Sequence, residues 1–353
     1  MANLAGAITG SGRSIGRYFG TISVLPSLIL VVYVYWLVSA GAWSGRFEPV
    51  KGLEAAGHLN VEQVASLLAA TFIIGLALHP FQFAMTQLLE GYWGISSIGL
   101  HLAKKRILHY RSEAQRLDEI AEAARYGWID DVQQARASSA EFVNETDSDR
   151  MKLNLLYLDA ECGDPMVGDY LRSEVAEIAR DRYPAAGRRI MPTRLGNALR
   201  RYEDEAGRQY GLNILRIAPH LNLVAAKEHR DYLDDTRKGL DLNVRLCFTA
   251  AIAAALSIPL LAGDGAWLLL SLVPYCASYF AYRGAVSSAH EYGTALSTVV
   301  DLNRFALYEQ LGLSRPRNTR LERQRNAKLM SLLSGNPDSY LPYKHGSSNG
   351  KVL

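Results

Sequence analysis

The stretch "IPLLAGDGAWLLL", residues 258–270, sets one aspartate inside otherwise apolar sequence. Between positions 246 and 282 there are 37 residues, and Asp264 alone carries a charge. A membrane helix needs about 17 to 25 residues to cross roughly 30 Å of hydrocarbon. A single span of this length would overshoot any bilayer. Two spans of 18 residues either side of Gly263-Asp264-Gly265 make a helical hairpin instead, and flanking glycines suit a tight turn. Asp264 is therefore read as a turn residue, with Trp267 as an interfacial aromatic.

Working outward, two further uncharged runs cover 64–89 and 25–43, the second lying inside an uncharged stretch over 19–45. The first of the four exceeds the length of a signal-peptide core, and more spans follow it, so it is read as a membrane helix. The net charge of +3 conceals two populations, because the charged residues concentrate in 94–244 and 284–353. The fold class expected is all-α: an integral membrane protein of four transmembrane helices with a large helical cytosolic region.

Basic residues orient it. Arg13 and Arg17 precede the first span, Lys104, Lys105, Arg106 and Arg111 follow the second, Arg237, Lys238 and Arg245 precede the third, and Arg283 closes the fourth. The positive-inside rule then puts both termini in the cytosol, with the protein multi-pass in the cell membrane. The expected organisation is a cytosolic leader (1–20), helices one and two (21–93), a helical cytosolic region (94–244), a transmembrane hairpin (245–283), C-terminal cytosolic helices (284–330) and a disordered tail (331–353) rich in Gly, Ser and Asn.

Local signals divide the charged regions into helices. Periodicity covers 101–160, and another helix runs to Pro184, which stops it. Pro192 and Thr193 open the next, and Gly207 ends it. A helix from about 223 continues into the third span, and the fourth span projects onward through about 313.

No catalytic pattern is present: the sequence has no HExxH, P-loop or GxSxG, and no metal-ligand spacing. "TGSGRSIG" at 9–16 is similar to the phosphate turn of short-chain dehydrogenases, but no buried strand precedes it and a membrane span follows. The three cysteines, Cys162, Cys247 and Cys276, form no CxxC pair and read as core residues. The chain is expected not to be an enzyme and to need no cofactor or metal.

The second span is the informative one. At 100° per residue, Thr71, Gly75, His79, Gln82 and Thr86 share an arc of about 80°. A polar stripe along a span must face another helix or water, since unsatisfied polar groups in lipid cost energy. Packing is one reading. The other is a water-filled pore lined by these five residues in a homo-oligomer, with Pro80 kinking the helix. A membrane-anchored scaffold without transport activity is the alternative function.

The segment "PTRLGN" opens a helix that could bind an anion or serve as a structural start, through Pro192, Thr193, Arg194, Gly196 and Asn197. Together with "LLEGYW" at 88–93 and the pair Tyr210-Gly211, it resembles a family of uncharacterised bacterial integral membrane proteins. That resemblance implies membrane location and a common fold, and no reaction. The family's Trp-Pro pattern is partial here, because Ala218 precedes Pro219. The order of elements is similar to that of bestrophin-type anion channels, ring-shaped oligomers whose second helix lines the pore; the likeness is one of order alone. Residues 315–328 carry six basic residues against Glu322, which suits anionic lipid or packing on an acidic surface. Aromatic interleaving for nucleic acid is absent. The lipid bilayer is the partner expected first.

Overall fold

The computed structural model describes residues 24–44, 46–140, 164–336 and 338–343. These are helical, with one isolated antiparallel bridge, Leu313 to Tyr343, and no strand among the described residues. The leader at 1–20 and Cys162 lie outside them. The chain divides into two compact units, residues 1–92 with 202–353, and residues 93–201.

In the first unit, α1 (Leu25–Ser39), α2 (Pro49–Gly57), α3 (Val61–Leu78) and α4 (Gln82–Glu90) lead to α8 (Ile214–Val224), α9 (Lys227–Leu261), α10 (Leu272–Gln310) and α11 (Thr319–Leu333). Among the described residues three stretches are long and apolar enough to cross a membrane: Val61–Glu90, Lys227–Leu261 and Gly265–Gln310. The described part of the first apolar helix, α1, is 15 residues long. Asn60 starts α3 with a capping box: its side chain accepts from the Gln63 N–H, and the Gln63 side chain accepts from its own. Pro80 has no N–H, so it removes one i→i−4 hydrogen bond and crowds the preceding turn. A single 3₁₀ turn, His79–Phe81, therefore separates α3 from α4.

α9 and α10 form the hairpin expected around Asp264, with Gly265 in the left-handed region at φ +59°. The residues after the turn, Gly265–Ser271, wind as 3₁₀ before α10 begins. The seam uses small residues, which let helix backbones approach closely. Ala285 and Ala289 are buried on α10, and Val244 and Cys247 on α9. A Cβ on Gly284 would lie 2.7 Å from Asn243 Oδ1, so any larger residue there would push the Asn243 side chain aside. Across the seam Asn243 Nδ2 donates to Ser288 Oγ at 3.1 Å, and Ser278 Oγ donates to the Cys247 carbonyl at 2.8 Å. α9 begins at Lys227 rather than near 223, because Ala225 and Ala226 are extended and separate it from α8.

α11 closes this unit. Its Asn326, fully buried, accepts from Tyr308 Oη and donates to the Tyr210 carbonyl at 2.8 Å. Glu322, also buried, accepts a hydrogen bond from Arg304 Nε at 3.0 Å. The tail expected from 331 differs in its described part: residues 331–333 end α11, and Leu341 is buried in the core. Its apolar side chain gains more from that core than the Gly- and Ser-rich composition around it suggests.

The second unit contains α5 (Ser97–Ala140), α6 (Asp164–Arg180) and the start of α7 (Arg194–Glu205). α6 packs along α5, where Arg180 Nε donates to both Asp118 carboxylate oxygens at 2.8 and 2.9 Å. Tyr110, Ala114, Tyr183 and Ile190 form its core. α6 ends at Arg180, short of Pro184, because residues 181–183 already turn.

Candidate functional site: a polar cluster between two apolar helices

The break at Pro80 places His79 and Gln82 at the junction of α3 and α4, facing α9. On α9, Asp241 and Arg245 are four residues apart and so share one face. Arg245 is 1% exposed, although it adjoins the most apolar part of the helix. It lies sixteen residues before Leu261, about 24 Å of helix at 1.5 Å per residue.

The hydrogen bonds determine the roles. Arginine only donates. Arg245 Nε donates to Gln82 Oε1 at 2.5 Å, and Nη2 donates to His79 Nδ1 at 3.1 Å. His79 Nδ1 is therefore the acceptor in this contact. The Gln82 amide turns its other end to α9, donating to the Asp241 carbonyl and to Asp241 Oδ1, both at 3.2 Å. Gln82 thus links a guanidinium to a carboxylate. A buried cation and anion with shared hydrogen-bond partners offset much of the desolvation that either would suffer alone.

The five residues of the polar stripe fall differently. Thr71 is buried and donates to the Leu67 carbonyl at 2.8 Å, and Gly75 is buried beside it on the same helix. Gln82 and Thr86 are half-buried, Thr86 Oγ1 donating to the Gln82 carbonyl at 3.0 Å. His79 is exposed although it bonds Arg245. The stripe is mostly covered by the chain's own helices, and only Gln82 and His79 are joined to other functional groups.

The "PTRLGN" residues build a helix start. Thr193 Oγ1 accepts from the Gly196 N–H at 3.0 Å, an N-cap bond. Asn197 accepts from Met191 N–H at 2.7 Å and donates to the Met191 carbonyl at 3.1 Å. Pro192, Thr193, Gly196 and Asn197 are buried, and Arg194 is exposed. Within 315–328, Arg315 pairs with Glu309, Arg325 donates to Ser314, and Arg323 Nε donates to the Gln209 carbonyl at 2.7 Å. These three arginines serve packing within the chain.

Asp241 and Arg245 are the residues that sequence reasoning did not single out. Arg245 reads as a basic flank of the third span when counted alone. The available signal is the Asp-x-x-x-Arg spacing directly before the apolar run. Among the described residues no group of three or more His, Cys, Asp or Glu is arranged to hold a metal ion. No family model, curated protein or solved structure matches the chain.

Proposed function

We propose that this is a multi-pass protein of the cell membrane with four membrane helices and cytosolic termini, and that its oligomer forms an ion-conducting pore along the second span. The observation that carries the reading is the Arg245–Gln82–His79 linkage. Ionisable groups within membrane spans are costly, and they concentrate on ion and proton pathways. In this reading the face toward the pore axis is the one carrying His79. Leu68, Phe72, Leu76 and Phe83 are exposed along that face, at spacings of three and four residues. Around an axis they make apolar constrictions, which gate by dewetting. His79 is then the polar group at the inner end of the constriction, positioned by Arg245.

A second reading, a scaffold that recruits partners without transport, is favoured by the inward packing of Thr71 and Gly75. That packing leaves the outer face of α3 apolar enough to lie against lipid. Ion flux from proteoliposomes separates the two. The pore reading expects His79→Ala and Phe72→Ala to change conductance or selectivity, and Leu268→Ala, on the other apolar hairpin, to leave it unchanged. Absence of flux in wild type across anions and cations, at neutral and acid pH, would favour the scaffold.

A further inference from the structure

The segment between α1 and α3 contains a short helix that spans nothing, yet exposes apolar side chains. Val50 and Leu53 on α2 are 65% and 64% exposed, and they lie three residues apart on one face. Trp43 just before it is 82% exposed, and Val61 at the start of α3 is 85% exposed. Lys51 and Glu48 pair at 2.7 Å on the polar side.

Two independent contacts fix the level of this helix. Gly52 sits on the end of α1 so closely that a Cβ would lie 2.9 Å from the Ala40 Cβ, the Trp36 Cδ1 and the Trp36 carbonyl oxygen. Phe47, two residues before α2, donates its N–H to Asp264 Oδ1 at 2.9 Å in the hairpin turn. Its ring packs against Trp36 and Trp267, with centroids 5.6 and 5.2 Å away. The segment is therefore tied to the plane where α1 and α9 end and α3 begins.

From these contacts we infer that α2 is an interfacial anchor, lying in the headgroup–acyl boundary of a phospholipid bilayer with Trp43, Val50 and Leu53 inserted. The inference rests on the membrane reading of the spans and is indifferent to whether they conduct. Continuity identifies the occupant: His58, Leu59 and Asn60 alone separate α2 from α3, an apolar helix long enough to cross the bilayer, which opens with exposed Val61 and Val64. The geometry suits it, since a short amphipathic helix buries its apolar face in that boundary and tryptophan favours the same depth. Charge fits a zwitterionic surface, because Arg46 and Lys51 are met by Glu48, Glu54 and Glu62. Attraction to anionic lipid is therefore not required.

The test uses the full chain with its native cysteines replaced, carrying one fluorescent label at a time, in phosphatidylcholine vesicles. A label at Leu53→Cys should be blue-shifted, quenched by bromine placed shallowly on the acyl chains, and protected from aqueous iodide. A label at Lys51→Cys should remain open to iodide, and raised salt should change neither. Val273→Cys, on an exposed face of the fourth apolar segment, reports the membrane reading itself through deep bromines. Deep quenching at Val273→Cys with full iodide access at Leu53→Cys overturns the anchor alone. Iodide access at both overturns the membrane reading and the anchor with it. Protection of Leu53→Cys without lipid quenching, lost on dilution in detergent, overturns it in favour of a second copy of the chain.

Discussion

Arg245 reaches 163 positions back along the chain to donate a hydrogen bond from its Nε–H to the side-chain carbonyl of Gln82. Hydrogen bonds to charged groups contribute about 1.5–3 kcal/mol, and a buried donor left without its acceptor loses at least that. Gln82→Leu should therefore lower stability in detergent by about 2 kcal/mol. Arg245→Met removes the charge together with the need for an acceptor, so the double variant should cost clearly less than the sum of the two. Thermal unfolding of the four proteins measures this coupling. Strict additivity would mean that the bond adds nothing of its own.

The Tyr202 ring lies against Gly293 on α10, where an added Cβ would fall 2.0 Å from two ring carbons. Tyr202 also meets His290 edge-on at 5.9 Å, and its hydroxyl is 3.4 Å from Thr294 Oγ1. Overfilling a packed contact typically costs about 1–3 kcal/mol. Gly293→Ala should be destabilising in that range because the ring must leave its site. In a Tyr202→Ala background the same substitution should cost much less, since the methyl then enters space the ring has vacated. Chemical unfolding of the pair reads the difference.

How much of this was legible in the sequence depends on the range of the signal. The hairpin turn at Asp264 and the break at Pro80 follow from local rules: span length, glycine freedom and a missing N–H. The helix start at Thr193 and its end at Gly207, φ +78°, are equally local. The stripe on the second span was visible as a stripe, but its neighbour was not, because periodicity shows which residues share a face and not what that face meets. Arg245 looks like a water-facing flank until Gln82, on a distant helix, and Asp241, on its own, make its burial tolerable. The bond from Phe47 to Asp264 is of the same kind, joining positions 217 apart.

Asn197 holds both backbone polar groups of Met191, and its side chain is almost fully enclosed. Asn197→Leu leaves that N–H and carbonyl without their partner, at about 1–3 kcal/mol for each group stranded. Asn197→Asp keeps the acceptor and loses the donor, so its loss should be intermediate. Thr193→Ala removes the cap on Gly196 and should cost about 1 kcal/mol, whereas Thr193→Ser should be close to neutral. The ranking Asn197→Leu, then Asn197→Asp, then Thr193→Ser is checked by melting temperature. Unchanged melting in Asn197→Leu would show that the contact with Met191 is dispensable.

Tyr183, buried in the core of the second unit, has its hydroxyl held well above the ordinary phenol range, first by burial and then by the nearby charge of Glu113, to which it hydrogen-bonds. The sign of the pH dependence follows from proton counting. Below about pH 10, the ordinary phenol value, the folded and unfolded chains both keep this proton, and its stabilisation is fully present. Above that value the unfolded chain releases it while the folded chain retains it, so folding loses up to about 1.4 kcal/mol per pH unit from this group. Tyr183→Phe has no proton to release. It should be less stable than wild type near neutrality, having lost the bond to Glu113, and that deficit should shrink as pH rises through about 10 to 11. Other tyrosines and lysines titrate alike in both proteins and cancel in the difference. Urea unfolding across the alkaline range, followed in wild type and Tyr183→Phe together, supplies it. Parallel curves would mean that Tyr183 loses its proton equally readily folded and unfolded, and that neither its burial nor Glu113 restrains it.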